Sequence, residues 1–224
     1  MGGIMAGTTI NAEKPRMIEM LEKLFGSVAK VKIMRLFLFN VADSFDIKQI
    51  SERAKVTASQ ARHEMGILEK IGLVKKRSFF KEVKVGRKKV VQRRRVSGWG
   101  FDETFEYVDP LRDLLAHVSG GRNRQLIQRL TRVGKLKLVI ISGFFIQNWD
   151  SRVDLFVVAD TIRRSTLENI VKTIESEVGR EIRYAAFETP DFRYRLGVYD
   201  KLVRDVLDYE HETILDKLNI PDVQ

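Results

Sequence analysis

Two groups of residues in this chain have the types and spacing for chemistry. Between Lys75 and Arg95 stand eleven basic residues: Lys75, Lys76, Arg77, Lys81, Lys84, Arg87, Lys88, Lys89, Arg93, Arg94 and Arg95. They face one acid, Glu82, so this segment alone carries +10, the formal net charge of the whole chain. A basic excess confined to one short segment is an electrostatic footprint for a polyanion. Just upstream, Thr57, Ser59, Gln60, Arg62 and His63 crowd the start of an expected helix. Gln can pair bidentately with adenine and Arg with guanine, while Ser and His can serve base or phosphate. The second group is Gly143, Arg152 and Asp154, where one apolar segment ends and the next begins.

Composition removes several other chemistries. The chain has no cysteine, which excludes a disulfide framework, a thiolate zinc site, an iron–sulfur cluster and a cysteine nucleophile. His63, His117 and His211 are too dispersed in sequence to suggest a metal site, so neither metal nor cofactor is expected. The longest apolar stretch, Leu138 to Ile146, is far short of the roughly 20 residues that span a bilayer. The first ten residues lack the basic-then-apolar order of a secretory signal, and Ala6 stands where a myristoylation motif wants Ser or Thr. A cytoplasmic protein with no membrane partner is expected.

The elements that must position these residues follow from periodicity and punctuation. Three- and four-residue spacing predicts helices over Lys14 to Leu24, Ala29 to Asn40 and Ile47 to Ala54. Lys55-Val56-Thr57 reads as a tight turn, with Thr57 capping a helix from Ala58 to Ile71 that buries Ala61, Met65, Leu68 and Ile71. Gly72 ends it as a left-handed cap. The β-branched run from Val74 to Val96, broken by Gly86-Arg87-Lys88-Lys89, predicts a hairpin with a basic tip, one packed face and one cationic face. Ser97-Gly98-Trp99-Gly100 is expected to end it. Beyond a connector and helices from Pro110 and Asn123, strands are expected at Leu136 to Phe145, Val153 to Ala159 and Glu181 to Phe187. Helices are expected over Ile162 to Val178, Pro190 to Arg195 and Tyr199 to Tyr209, with a short helical tail to Leu218.

Two resemblances attach to these patterns. The run from Ile50 to Val74, most specifically Leu68-Glu-Lys-Ile-Gly-Leu-Val74, resembles the winged helix-turn-helix of bacterial and archaeal transcriptional regulators. It implies double-stranded DNA as partner, with Thr57, Ser59, Gln60, Arg62 and His63 at the groove and Lys75, Lys76, Arg77, Lys84, Arg87, Lys88, Lys89, Arg93, Arg94 and Arg95 on the sugar–phosphate strands. Leu138-Val-Ile-Ile-Ser-Gly143, followed by Asp150 to Asp160, resembles the small nucleotidyltransferase domain. In that family a Gly-Ser turn admits the triphosphate and an Asp-x-Asp pair holds divalent metal. Here Gly143 is kept, Phe144 replaces the Ser, and Arg152 replaces the first Asp, so only Asp154 remains of a vestigial site.

The expected architecture is therefore α+β: a winged helix-turn-helix followed by a small α/β nucleotidyltransferase-like domain with a mixed sheet. Residues 1–13 are expected to be a disordered lead-in, 14–98 the DNA-binding domain, 99–121 a connector and 122–224 the α/β domain. The expected function is sequence-specific DNA binding in transcription regulation, with no catalytic residues. The alternative is an active nucleotidyltransferase acting on nucleic acid or a partner protein. The α/β half is open to a protein partner, and the Tyr194 to Tyr209 segment to either core packing or a homodimer interface.

Overall fold

Capping chemistry starts the N-terminal helices. After α1 (Met17–Phe25), the Ser27 hydroxyl accepts from the Lys30 amide to open α2 (Val28–Leu38). Asp46 and Gln49 satisfy each other's backbone amides at the head of α3 (Ile47–Ala54). Thr57 and Gln60 do the same at α4 (Ala58–Lys70), and each reciprocal box satisfies two donors that a helix end would otherwise leave unpaired. Lys55, at a left-handed φ of 50°, makes the turn between α3 and α4. Gly72, at φ 78°, closes α4. The structure, a computed structural model, describes residues 17–85, 90–116, 122–148 and 150–220. The lead-in, the Gly86-Arg87-Lys88-Lys89 tip and the Ser119-Gly120-Gly121 break lie outside the described residues.

A short β1 (Ser44–Phe45) joins a long hairpin, β2 (Val74–Val85) and β3 (Val90–Phe101), in an antiparallel sheet of order β1-β3-β2. The register is unbroken from Val74 opposite Phe101 to Val85 opposite Val90. Ser97 to Gly100 therefore lie inside the strand rather than ending it. Gly98 reads as a break because it lacks a side chain, yet the sheet needs that lack: a Cβ there would collide with the Phe45 carbonyl of β1. The hairpin's base, α1 to α4 and α5 (Val108–Ala116) share one core around Leu21, Val31, Phe37, Ile50, Met65, Leu68 and Leu115. Ile71, expected inward, is 55% exposed, because α4 stops at Lys70.

The second half is built on a four-stranded mixed sheet of order β6-β5-β4-β7. β4 (Leu136–Ile141) runs antiparallel to β5 (Leu155–Ala159) and β7 (Glu212–Asp216), while β6 (Tyr184–Glu188) runs parallel to β5. α6 (Arg122–Leu130) and α7 (Arg164–Val178) cover one face through Leu130, Leu167, Val171 and Ile174. α8 (Thr189–Gly197) and α9 (Lys201–Asp208) cover the other through Phe192, Val203 and Val206. A strand buried on both faces must be apolar throughout, which accounts for Leu138-Val-Ile-Ile141. Leu202, Val203, Val206 and Leu207 thus serve the core.

The expected helical tail is instead β7. Four of its five residues pair with β4, from Ile141 opposite Glu212 to Leu138 opposite Asp216 with a register shift at Ile214, covering the β4 edge. The chain is a mixed α+β protein with one antiparallel and one mixed sheet. Among the described residues no helix is long and apolar enough to cross a membrane.

α2 fastens the two halves together. The buried Arg35 guanidinium donates to the Leu115 carbonyl at 3.0 Å and the Glu177 carbonyl at 2.7 Å, and burial lowers its pKa to about 10. Asn40 donates to the carbonyl of Gly179, whose φ of 82° and missing Cβ let the α7 terminus lie on the Arg35 backbone. The rings of Phe39 and Phe144 meet edge-on with centroids 5.7 Å apart.

Candidate nucleic-acid interface

α4 presents its polar end to solvent. Its inward face is Ala61, Glu64, Met65 and Leu68, so helical spacing leaves Ser59, Gln60, Arg62 and His63 outside, and all four are exposed. Thr57 is exposed too, but its hydroxyl is committed: it accepts from the Gln60 amide at 3.2 Å and donates to Gln60 Oε1 at 3.0 Å. Gln60 Oε1 also accepts from the Thr57 amide at 3.0 Å. A bidentate Gln–adenine pair needs that oxygen, so Gln60 reads a base only if the cap opens. Ser59, Arg62 and His63 carry no such commitment among the described residues.

The hairpin divides its cations by position. On β2, Lys75, Lys76, Arg77 and Lys81 each have an acid of the same chain. Lys75 meets Asp102 at 2.9 Å, Lys76 meets Glu69 at 3.6 Å, Arg77 meets Glu103 at 3.2 Å and Lys81 meets Asp46 at 2.7 Å. The Lys75 ammonium and the Thr104 amide and hydroxyl pull the Asp102 carboxyl down to about 2. At Asp46 burial opposes ionisation, but Lys81 and the Gln49 amide outweigh it and hold the carboxyl below its usual range. Across the ladder on β3, Arg94 (opposite Lys81) and Arg95 (opposite Phe80) are exposed with no acid in ion-pair reach among the described residues, and Arg93 stacks over the Phe80 ring at 5.5 Å. The Lys84 side chain and Arg87, Lys88 and Lys89 lie outside what is described.

The register also corrects the expectation of one cationic face. Directly opposed residues share a face, so Phe80, Arg95 and Arg93 stand on one side and Lys81 and Arg94 on the other. The strand alternation runs through Arg93-Arg94-Arg95, so three consecutive arginines must split between faces. Phe79 and Val96 pack partly on the Lys81 side, while Phe80 is 63% exposed.

At the second group of residues the polar atoms are consumed internally. Asp154 is fully buried. Its Oδ1 accepts from the Phe144 amide at 2.9 Å and from Arg183 Nη2 at 3.1 Å; its Oδ2 accepts from the Arg183 amide at 2.8 Å and Nε at 3.1 Å. The pair raises the Arg183 pKa. Gly143, at φ 56°, is where this carboxylate approaches the backbone; a Cβ would collide with Oδ1. Arg152 points elsewhere, to Asp205 at 3.0 Å. Glu181 pairs with Arg53, and Glu188 accepts from the Ile162 amide. Among the described residues no group of three or more His, Cys, Asp or Glu could hold a metal ion. Arg183 escapes a sequence reading because it sits 29 residues from the carboxylate it neutralises.

No family model matches this chain, and no curated protein or solved structure matches it either.

Proposed function

We propose that the chain is a sequence-specific double-stranded-DNA-binding protein acting in transcription regulation, through a winged helix-turn-helix formed by α3, α4 and the β2–β3 hairpin. The observation that carries this is the exposure of Ser59, Arg62 and His63 at the head of α4, in the same half of the molecule as exposed Arg94 and Arg95 on the hairpin. Helix-turn-helix readers seat the N-terminal residues of the second helix against base edges, and phosphate contacts from flanking cations set register. The α3–turn–α4 order with the turn at Lys55 suits that docking.

The second half is proposed as a nucleotidyltransferase-like domain without transferase activity. The alternative, an active transferase, needs an Asp154 carboxylate open to metal. The four donors on that group speak against it, as does the missing second carboxylate at Arg152. Magnesium-dependent transfer of a labelled nucleotide onto protein or nucleic acid would restore the enzyme reading.

Selection of bound fragments from random duplex DNA at two salt concentrations tests the main proposal. A recovered motif that persists at the higher salt is the expected result. With about five phosphates neutralised, the slope of log K against log salt is about −4.5. Recovery without a motif, or salt-independent binding, rejects it.

A further inference from the structure

A cleft of about 380 Å³ opens between α2, α3 and the C-terminal half of α7, where the two halves meet. Its size is that of a small-molecule site, roughly 300–1,000 Å³, and junctions between packed units are where such sites concentrate. Its walls carry five cations and three acids, and the acids are largely spoken for. Glu181 is held by Arg53 at 2.7 Å, Glu175 Oε1 accepts from the Ile182 amide at 2.9 Å, and Glu52 lies one helical turn from Lys48.

The lysines are not matched in the same way. Lys32 is half-buried with no acid in ion-pair reach among the described residues. Burial lowers its pKa, Lys55 and Arg129 push the same way, and Glu177, which opposes them, is itself paired with Arg129 at 2.7 Å. Lys172 on α7 likewise has no described acid in ion-pair reach, and the Lys55 ammonium donates to the Thr173 hydroxyl, at 2.7 Å, rather than to a carboxylate. A partly desolvated ammonium without a counter-charge is unfavourable until an anion supplies one.

We propose that this cleft binds a small polyanion, phosphoryl- or carboxylate-bearing, through Lys32, Lys55 and Lys172. Lys55 forms the turn between α3 and α4, so an occupant there touches the element that sets the attitude of α4. An effect on DNA affinity follows, and that part alone rests on the function proposed above.

The test is calorimetric titration of the full chain with pyrophosphate and, separately, citrate at constant ionic strength. One-site saturable binding is expected for at least one of them, and the stronger names the chemistry. Lys32→Gln with Lys172→Gln weakens it at least tenfold, whereas a charge-matched Lys201→Gln, Lys217→Gln control does not. Lys32→Gln alone keeps or raises the thermal midpoint, since it removes an unmatched ammonium, so lost binding is not lost fold. Absence of saturable heat with both anions, or wild-type binding by the Lys32, Lys172 variant, overturns the site. If the anion binds and duplex affinity stays unchanged, the coupling to α4 falls and the site stands. If wild type binds no duplex, the proposed function falls with the coupling, again leaving the site.

Discussion

The head of α4 and the turn at Asp154 both looked chemically rich in sequence, and they differ in where their polar atoms point. At the head of α4, Ser59, Arg62 and His63 project into water and make no commitments among the described residues. At Asp154 a fully buried carboxylate takes four hydrogen bonds, two of them from the Arg183 guanidinium. Burial of an ionised group demands full satisfaction, and here the fold itself supplies every donor. A polar cluster is available for function to the extent that the fold has not already used it. The hairpin repeats the lesson at smaller scale, with paired cations on β2 and open ones across the ladder on β3.

The sharpest way to break this comparison is Asp154→Ala. It leaves the Phe144 and Arg183 amides and a guanidinium without their acceptor, and should cost about 3 kcal/mol, the low end for a broken buried pair because Arg183 is partly solvated. The shift in urea midpoint measures it. A metal ligand surrounded by vacant space would instead tolerate the change. Next, Arg94→Glu with Arg95→Glu should weaken duplex binding and reduce the magnitude of the salt slope by about 2, one for each phosphate no longer neutralised. Anisotropy titrations across salt concentrations read it directly.

Thr57→Ala separates the cap's role from base reading. Loss of the cap costs about 1 kcal/mol of stability, while the residue 57 amide still donates to Gln60 Oε1 and the exposed face of α4 is unchanged, so duplex affinity should fall less than stability does. Smaller still, Lys75→Gln with Arg77→Gln should weaken duplex binding less than the Arg94, Arg95 reversal does, since Asp102 and Glu103 already face these two cations. An affinity drop equal to that of the Arg94, Arg95 reversal would erase the division between β2 and β3. Finally, the Asp46–Lys81 pair has a pH signature. A carboxyl whose folded pKa is depressed stabilises above its unfolded pKa, and that stability is lost as pH falls through the carboxylate range. Asp46→Asn should flatten this part of the stability profile.

Much of the local structure was legible because it rests on interactions within a few residues. The Thr57 cap, the left-handed Gly72, and the helical spacing of α2, α3 and α4 follow from periodicity and turn chemistry alone. The replacement of an acid by Arg152 was equally visible. Misread elements were those whose reason lies far along the chain. Gly98 looks like a strand end until Phe45 is brought beside it. Residues 212–216 look helical until β4 offers an unpaired edge.

By itself, then, the sequence determined the order of most elements, the concentration of charge between Lys75 and Arg95, and the polar head of α4. Tertiary structure alone decided which of those charges stay open. It brought Asp46, Glu69, Asp102 and Glu103 against the cations of β2, put Arg183 on Asp154, and closed α7 over α2 and α3 to make a cleft lined with unmatched lysines. The physical reason is that periodicity and caps act over one or two helical turns, whereas counter-charge and burial depend on which distant segments the core draws together.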